Sequence, residues 1–487
     1  MSAEILWTAA EAKAATNGTG PDLWRATGVS IDTRSIAAGD LFVALSGPNY
    51  DAHAFVGDAL AKGAAAAVVS HRPEGLDETA PLLLVPDCLA ALRDLGRAAR
   101  SRSQAKVIAV TGSSGKTSTK ELLAGACAAL GPTHAAAASY NNQWGVPLTL
   151  ARLPRSAAWA VCEIGMNHAG EIRPLAALVR PHVAVITNIG VAHLEYLGSR
   201  EAIADAKAEI FEGLEPGYSR WATAVLPRGD DFYERLSAAA EAAGADILTF
   251  GAHPAADLRL VDYQAEGEGG RVEAEVQGRP LRFFLPFAGR HQAGNALAAL
   301  AAVRALGGDV VAAARALEGL EPLAGRGARQ TLVLSNGRRI TLLDESYNAN
   351  PLSVSAALSV LGDMTPQGEG RRIAVLGDML ELGPEAGRLH RALADKLSDA
   401  AVDAVFLCGP LMAELAEALE GRTTVVHAPD SAALAPQIPP ALRDGDVVLV
   451  KGSLGSKMKR VVDALTAASA APRGAATGSK GGRAHAL

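Results

Sequence analysis

The sequence predicts an α/β protein of three domains. Short apolar runs alternate with helical patterns along most of the chain, which is the mark of strand–helix–strand units. One such run passes through a Gly/Ser loop directly into a helix, at VIAVTGSSGKTSTKELLAGACAAL. Two stretches break the pattern, the Arg- and Ser-rich RAARSRSQAK (97–106) and LEPLAGRGARQ (320–330). They divide the chain into 1–104, 105–325 and 326–487. At ~150 residues per domain, three domains fit the 487 residues, and each can bury its own core.

In the first part, VSID (29–32) and LFVAL (41–45) read as strands, AFVGDALAKG (54–63) as a helix and AAAAVVS (64–70) as a strand. The second part opens on the strand–loop–helix at 107. NNQWGVPLTL (141–150) reads as a polar turn followed by a proline-initiated helix. AWAVCEIG (158–165) and VAVITNI (183–189) follow as strands, with Pro181 closing the helix before the latter. Strand runs separated by turn residues over 258–287 predict hairpins, and HQAGNALAALAAVRAL (291–306) a helix. The third part carries the runs RITLLDE, RIAVLGD, AVFLCG, TTVVHA and DVVLVKG with helical stretches between them, the pattern of a Rossmann-like sheet. The low-complexity tail, 467–487, is expected to be disordered.

Composition excludes several classes. Hydrophobic residues make up 49% and charged residues 20%, as in a globular protein. The net charge of −6 argues against a general nucleic-acid binder. The four cysteines, Cys88, Cys127, Cys162 and Cys408, show no paired spacing; this argues against a disulfide framework or a zinc site and fits a reducing cytoplasm. The N-terminus lacks a basic leader. The uncharged stretch 122–151 is interrupted by GPTH and NNQ, so no membrane-spanning run survives and no stable membrane insertion is expected.

The strongest local signal is TGSSGKTS (111–118). Glycines let backbone N–H groups converge on phosphate oxygens, and the helix N-terminus adds a positive dipole end. Lys116 brings a point charge and the Thr117 hydroxyl can reach Mg²⁺. Only two residues separate Gly112 and Gly115, so the generic G-x-x-x-x-G-K-[ST] pattern is not met. The loop alone specifies a nucleoside triphosphate site and leaves kinase, GTPase and ligase open. A GTPase would also need an N-K-x-D-like segment to read its base, and none is present. Glu163 ends a parallel strand, where ligands bind in such folds, and a carboxylate there can hold the hard Mg²⁺ ion.

The short T-G-S-S-G-K-T-S loop, read with several distant segments, resembles the Mur ligase family over residues 27–466, in the same order. The resemblance implies an N-terminal UDP-binding domain, a central P-loop ATPase-type parallel-sheet domain and a C-terminal Rossmann-like domain. It also implies an ATP-dependent amide ligase that works through an acyl phosphate and uses ATP with two Mg²⁺ ions. Gly112, Ser113, Ser114, Gly115, Lys116, Thr117 and Ser118 would cradle the phosphates.

SIDTRSIAAGDLFVALSGPNYDAHAF is similar to the family's uridine-diphosphate segment. Asp32, Thr33, Arg34 and Ser35 would lie near the nucleotide sugar, with Arg34 matching the diphosphate, and Ser46 and Gly47 near the uracil. In N-N-x-x-G-V-P-x-T, Asn141 and Asn142 would hold substrate near the γ-phosphate, and Asn167 and His168 in GMNHAGEI would also touch substrate. Thr117, Glu163 and His193 would bind metal, together with a carbamate formed on Lys207. His291 and Asn295 in the H-x-x-x-N-A-L-A-A stretch would approach the base, and Arg326 would approach ATP.

LLDESYNANPLSVSAAL resembles the D-[DE]-[SA]-Y-N-A-N-P signature of dipeptide-adding members. Asp344, Tyr347, Asn348 and Asn350 would close over ATP and the acceptor, and Asp378 and Lys451 would contribute nearby. The D-N-P-R segment of members that add diaminopimelate is absent. The implied substrates are therefore UDP-N-acetylmuramoyl-tripeptide and D-alanyl-D-alanine, with a monomeric enzyme in the cytoplasm. The chain has LPRGDD (226–231) where many relatives read N-A-D-D. A ligase adding one amino acid, or γ-glutamyl units to folate, is the neighbouring alternative, and the SYNANP text argues against it.

Overall fold

A computed structural model describes residues 4–47, 50–214 and 222–469. They form two compact units, Met1–Glu321 with Glu381–Gly383, and Pro322–Leu380 with Pro384–Leu487. The part of the tail beyond 469 lies outside the described residues.

The first unit contains a four-stranded parallel sheet in the order Gly28–Ser30, Asp40–Val43, Ala66–Val69, Leu82–Leu84. Helix Cys88–Arg102 packs beside it, started by the Asp87 carboxylate accepting from Ala90 N–H.

A nine-stranded sheet follows. Its order is Thr133–Ala135, Trp159–Glu163, Lys106–Thr111, Val183–Ile186, Thr223–Pro227, Asp246–Gly251, Leu258–Glu266, Gly269–Val276, Arg279–Leu285. The first seven strands run parallel, and the seventh, Leu258–Glu266, also opens an antiparallel meander with the remaining two. The hairpins expected at 258–287 are this meander. Strand Lys106–Thr111 lies between Trp159–Glu163 on one side and Val183–Ile186 on the other. Strand order therefore reverses about it, and its carboxyl end opens onto a ligand crevice.

Both faces of the central parallel strands are covered, so those strands are continuous apolar runs. Helix Arg290–Ala305 lies on one face against helix Lys116–Ala128. Its run of buried alanines lets the backbones approach closely. Helix Gly145–Ala151 begins two residues before Pro147 rather than at it; a proline in the first turn costs nothing, because N–H groups there have no intrahelical acceptor.

The second unit holds a six-stranded sheet in the order Ala328–Val333, Arg339–Glu345, Val447–Lys451, Arg372–Gly377, Ala404–Cys408, Thr424–Ala428. Only its first pair is antiparallel. The four thiols are buried and unpaired, and burial pushes each up to about 12. Among the described residues no helix is long and apolar enough to cross a membrane.

Candidate active site

Three segments meet at the carboxyl end of the nine-stranded sheet. The first is the loop 112–115 and the helix Lys116–Ala128 that it opens. Gly112 has φ 149° and Gly115 φ 80°, and neither could carry a side chain. A Cβ on Gly112 would lie 1.9 Å from Thr187 Oγ1, and one on Gly115 2.6 Å from Asn295 Oδ1. No side chain caps the helix, so its dipole end is left for an anion.

The loop is braced from the next strand. Ser113 N–H donates to Asn188 O at 3.0 Å, and Ser114 N–H donates to Asn188 Oδ1 at 3.0 Å. Ser114 O accepts from the Thr187 hydroxyl and the Asn188 amide. The Ser113 hydroxyl accepts from Gly190 N–H at 2.8 Å. The two serines therefore shape the loop through the 187–190 segment. Lys116 Nζ donates to Gly112 O at 2.7 Å, folding its charge back over the loop, and Ser118 is half-buried one turn into the helix.

The second segment is the end of strand Trp159–Glu163. Glu163 is 1% exposed. The Thr117 hydroxyl donates to Glu163 Oε2 at 2.8 Å, and Asn141 Nδ2 donates to Glu163 Oε1 at 2.8 Å. Ser139 Oγ lies 3.1 Å from the Thr117 hydroxyl. The buried carboxylate thus has a hydroxyl partner at Oε2 and an amide partner at Oε1, and the carboxylate with the hydroxyl beside it offers oxygen ligands of the kind a hard cation takes. Asn142 has a different place: its side-chain oxygen accepts from Trp144 N–H and Gly145 N–H, where helix Gly145–Ala151 begins.

The third segment contains Lys207, on helix Arg200–Ala208. The side chain is buried. Desolvation first, and the neighbouring Lys116 charge second, hold its amine well below the usual lysine range. His193 follows strand Val183–Ile186 and takes a left-handed φ of 64° before the short helix Leu194–Leu197. Asn167 and His168 are exposed; Asn167 N–H donates to Glu171, and the His168 ring pairs with the same carboxylate at 3.1 Å. Asn295 is buried beside Gly115, its amide donating to Gln292 Oε1 at 3.0 Å, whereas His291 is exposed near the start of that helix.

Beside the four-stranded sheet, Arg34 grips the Asp32 carboxylate with Nε at 2.9 Å and Nη2 at 2.6 Å. These bonds hold the Asp32 carboxyl below the usual range. Lys62 Nζ donates to Thr33 O, and Ser35 N–H to Asp32 O. Ser46 and Gly47 pair with Asp51 and Tyr50. The Ser46 hydroxyl donates to Asp51 Oδ1 at 2.7 Å, and that oxygen also lies 2.6 Å from the buried His53 Nδ1.

In the second unit the Arg326 guanidinium lies 4.1 Å over the Tyr347 ring. Asp344 is a turn buckle, accepting from Gly325 N–H and Ser346 N–H. Asn348 Oδ1 accepts from Ala349 N–H, and Asn348 O accepts from Lys451 Nζ at 3.0 Å. Asn350 caps helix Pro351–Asp363 in a reciprocal box with Ser353. Burial raises the Asp378 carboxyl, which accepts from Met412 N–H.

Sequence reasoning missed Ser139, Asn188 and Gln292. Asn188 had a findable signal, a polar residue at the mouth of an apolar strand. Ser139 had none, since it lies in a small-residue loop.

The sequence matches three family descriptions in order: "Mur ligase family, catalytic domain" over 25–100, "Mur ligase middle domain" over 110–303, and "Mur ligase, glutamate ligase domain" over 328–454. The UDP-N-acetylmuramoyl-tripeptide–D-alanyl-D-alanine ligase of Bacillus subtilis (strain 168) is 34% identical over 442 residues, covering 90% of this chain and 93% of that one. A crystal structure of MurF from Acinetobacter baumannii superposes with a TM-score of 0.80 at 32% identity, covering 95% and 99% of the two chains. MurF from Thermotoga maritima in complex with ADP gives 0.73 at 26% identity, covering 90% and 97%.

Proposed function

The chain belongs to the Mur ligase family, and from that premise we infer that it joins D-alanyl-D-alanine to UDP-N-acetylmuramoyl-tripeptide at the expense of ATP, in peptidoglycan precursor synthesis. The observation that carries the chemistry is the buried Thr117–Glu163 pair at 2.8 Å, directly behind a glycine loop and an uncapped helix N-terminus.

The reaction must bring two anions together. The γ-phosphoryl group of ATP passes to the tripeptide carboxylate, forming an acyl phosphate and ADP. The dipeptide amine then attacks the acyl carbon, phosphate leaves with the bonding pair, and the amine loses a proton. The loop 112–118 binds the phosphates through backbone N–H groups and the Lys116 charge. Thr117, Glu163 and His193 are the metal ligands we assign, with Mg²⁺ the ion that would suit the hydroxyl and carboxylate oxygens of the first two, and His193 offering a ring nitrogen. When bound, such ions offset the negative charge gathered on the transferring phosphoryl group.

Lys207 completes this set as a carbamate. Burial and the neighbouring Lys116 charge disfavour its ammonium form; the free amine attacks CO₂, forming an N–C bond and releasing a proton, which puts an anionic oxygen donor where an ammonium would repel the metal ions. Asn141, Asn142, Asn167 and His168 belong to the tripeptide side of the site. Asp32, Thr33, Arg34, Ser35, Ser46 and Gly47 serve the uridine diphosphate. Asn295 and His291 are assigned to the ATP base, and, taken by itself, the second unit has Arg326, Asp344, Tyr347, Asn348 and Asn350 assigned to ATP and the acceptor.

The separate four- and nine-stranded sheets of the first unit support a division into 1–104, 105–325 and 326–487. A monomer working in the cytoplasm fits the soluble nucleotide substrates.

The test is direct. Incubation with UDP-N-acetylmuramoyl-tripeptide, ATP and Mg²⁺ should release ADP only when D-alanyl-D-alanine is added, with a product mass equal to the two substrates less water. Turnover with single amino acids and none with the dipeptide would overturn the assignment.

A further inference from the structure

Lys120 is a buried cation to which the reaction as described gives no task. It lies on helix Lys116–Ala128, one turn after Thr117, and its side chain is fully enclosed. Its ammonium makes two bonds, to the neighbouring Glu121 carboxylate and to Ala136 O at 2.7 Å. Enclosing an ammonium costs free energy, and an apolar side chain of similar volume would fill the same space without that cost. A packing role alone therefore does not account for a lysine here.

The carbonyl that it holds does account for it. Ala136 directly follows the edge strand Thr133–Ala135 and begins the irregular segment that runs to Asn141. That strand has a neighbour on one side only, so the sheet fixes the segment weakly. Yet the segment delivers Ser139 to within 3.1 Å of the Thr117 hydroxyl and the Asn141 amide to within 2.8 Å of Glu163. Residues three apart share a helix face. Thr117 meets the far part of the segment while Lys120 clamps its beginning.

We propose that Lys120 is a positioning residue of the active site: by holding Ala136 O it fixes the 136–141 segment, so that Ser139 and Asn141 align Thr117 and Glu163. The inference rests on the Thr117–Glu163 pair being the working site of the proposed ligase. It adds a residue that acts only through others.

The experiment compares Lys120→Met, Lys120→Arg and Asn141→Ala in the full chain. Hydrogen exchange without any substrate is measured for the 136–141 amides and for strand Lys106–Thr111. In Lys120→Met the segment should exchange about tenfold faster or more while the strand is unchanged, the behaviour of a local opening. Lys120→Arg, which keeps a donor, should retain slow exchange.

Turnover in Lys120→Met should fall about tenfold or more through misalignment. Combined with Asn141→Ala it should fall little further, because one acts through the other. Unchanged exchange in Lys120→Met, or losses that simply multiply in the double variant, would overturn the proposal. If Lys120→Met does not fold, Lys120→Gln is read in its place, and failure of both would assign the lysine to folding alone. The exchange reading needs no substrate, so it stands even if the chain proves to ligate a different acceptor.

Discussion

The Thr117 hydroxyl donates to Glu163 Oε2 at 2.8 Å across 46 residues of sequence. This one bond ties the first turn of the phosphate-loop helix to the end of the neighbouring strand. A hydroxyl could have capped its own helix and a carboxylate could have faced solvent, but the sheet register sets them side by side at the mouth of the crevice.

Glu163→Gln keeps the size of the side chain and a hydrogen-bonding group for Thr117 while removing the charge. We expect a folded protein whose ADP release falls roughly 10²–10³-fold, the scale of losing one preorganised electrostatic contact. Near-normal turnover with an unchanged melting curve would remove Glu163 from the mechanism.

Gly115→Ala should damage the loop itself. The added Cβ meets Asn295 Oδ1 at 2.6 Å and the backbone remains at φ 80°. Strain of this kind costs about 1–3 kcal/mol. A lower melting temperature and a raised KM for ATP are expected, with the KM for the UDP-substrate little changed. A variant with wild-type ATP kinetics would show that the loop does not cradle phosphate.

Lys207 carries a pH signature. Its folded-state pKa is depressed below the ordinary 10.5, so the unfolded chain binds the proton more readily. Stability in CO₂-free buffer should then rise with pH across the interval between the depressed value and 10.5, because the unfolded state holds more protons there. Lys207→Met should lose this slope and be relatively most stabilised at the lower end. The same variant should be inactive, and Lys207→Ala should regain some turnover with short carboxylic acids. Equal pH slopes in wild type and variant would mean that the lysine is not enclosed.

Arg34→Ala should raise the KM for the UDP-substrate and leave the KM for ATP alone. The guanidinium fork matches diphosphate geometry, so its loss should weaken binding of that substrate and not of ATP. The Asp32 carboxyl, now without its guanidinium partner, should titrate at higher pH in NMR. An unchanged KM would place the diphosphate elsewhere.

Much was legible in the sequence because it is local. The glycine loop, the strand before it and the helix after it follow from adjacent residues, since positive φ at Gly112 and Gly115 and a bare helix N-terminus need nothing distant. The buried parallel strands showed as apolar runs, and the hairpins of 258–287 as runs separated by turn residues. The parallel pairing of five strands of the six-stranded sheet followed from alternation with helices, whereas the antiparallel edge strand Ala328–Val333 begins inside the stretch read as a boundary.

Tertiary structure alone decided the rest. Lys207 and Lys120 sit in ordinary helical text, AKAE and TSTKE, and only packing encloses them. Asn142, Asp344 and Asn350 lie in segments of distinctive text, but the fold uses their side chains for backbone N–H groups, to open a helix, buckle a turn and cap another helix. Local dihedral preferences act between neighbours in sequence. Burial, and the meeting of Thr117, Ser139, Asn141 and Glu163, arise when separate strands take their places in one sheet, and no window of adjacent residues contains that information.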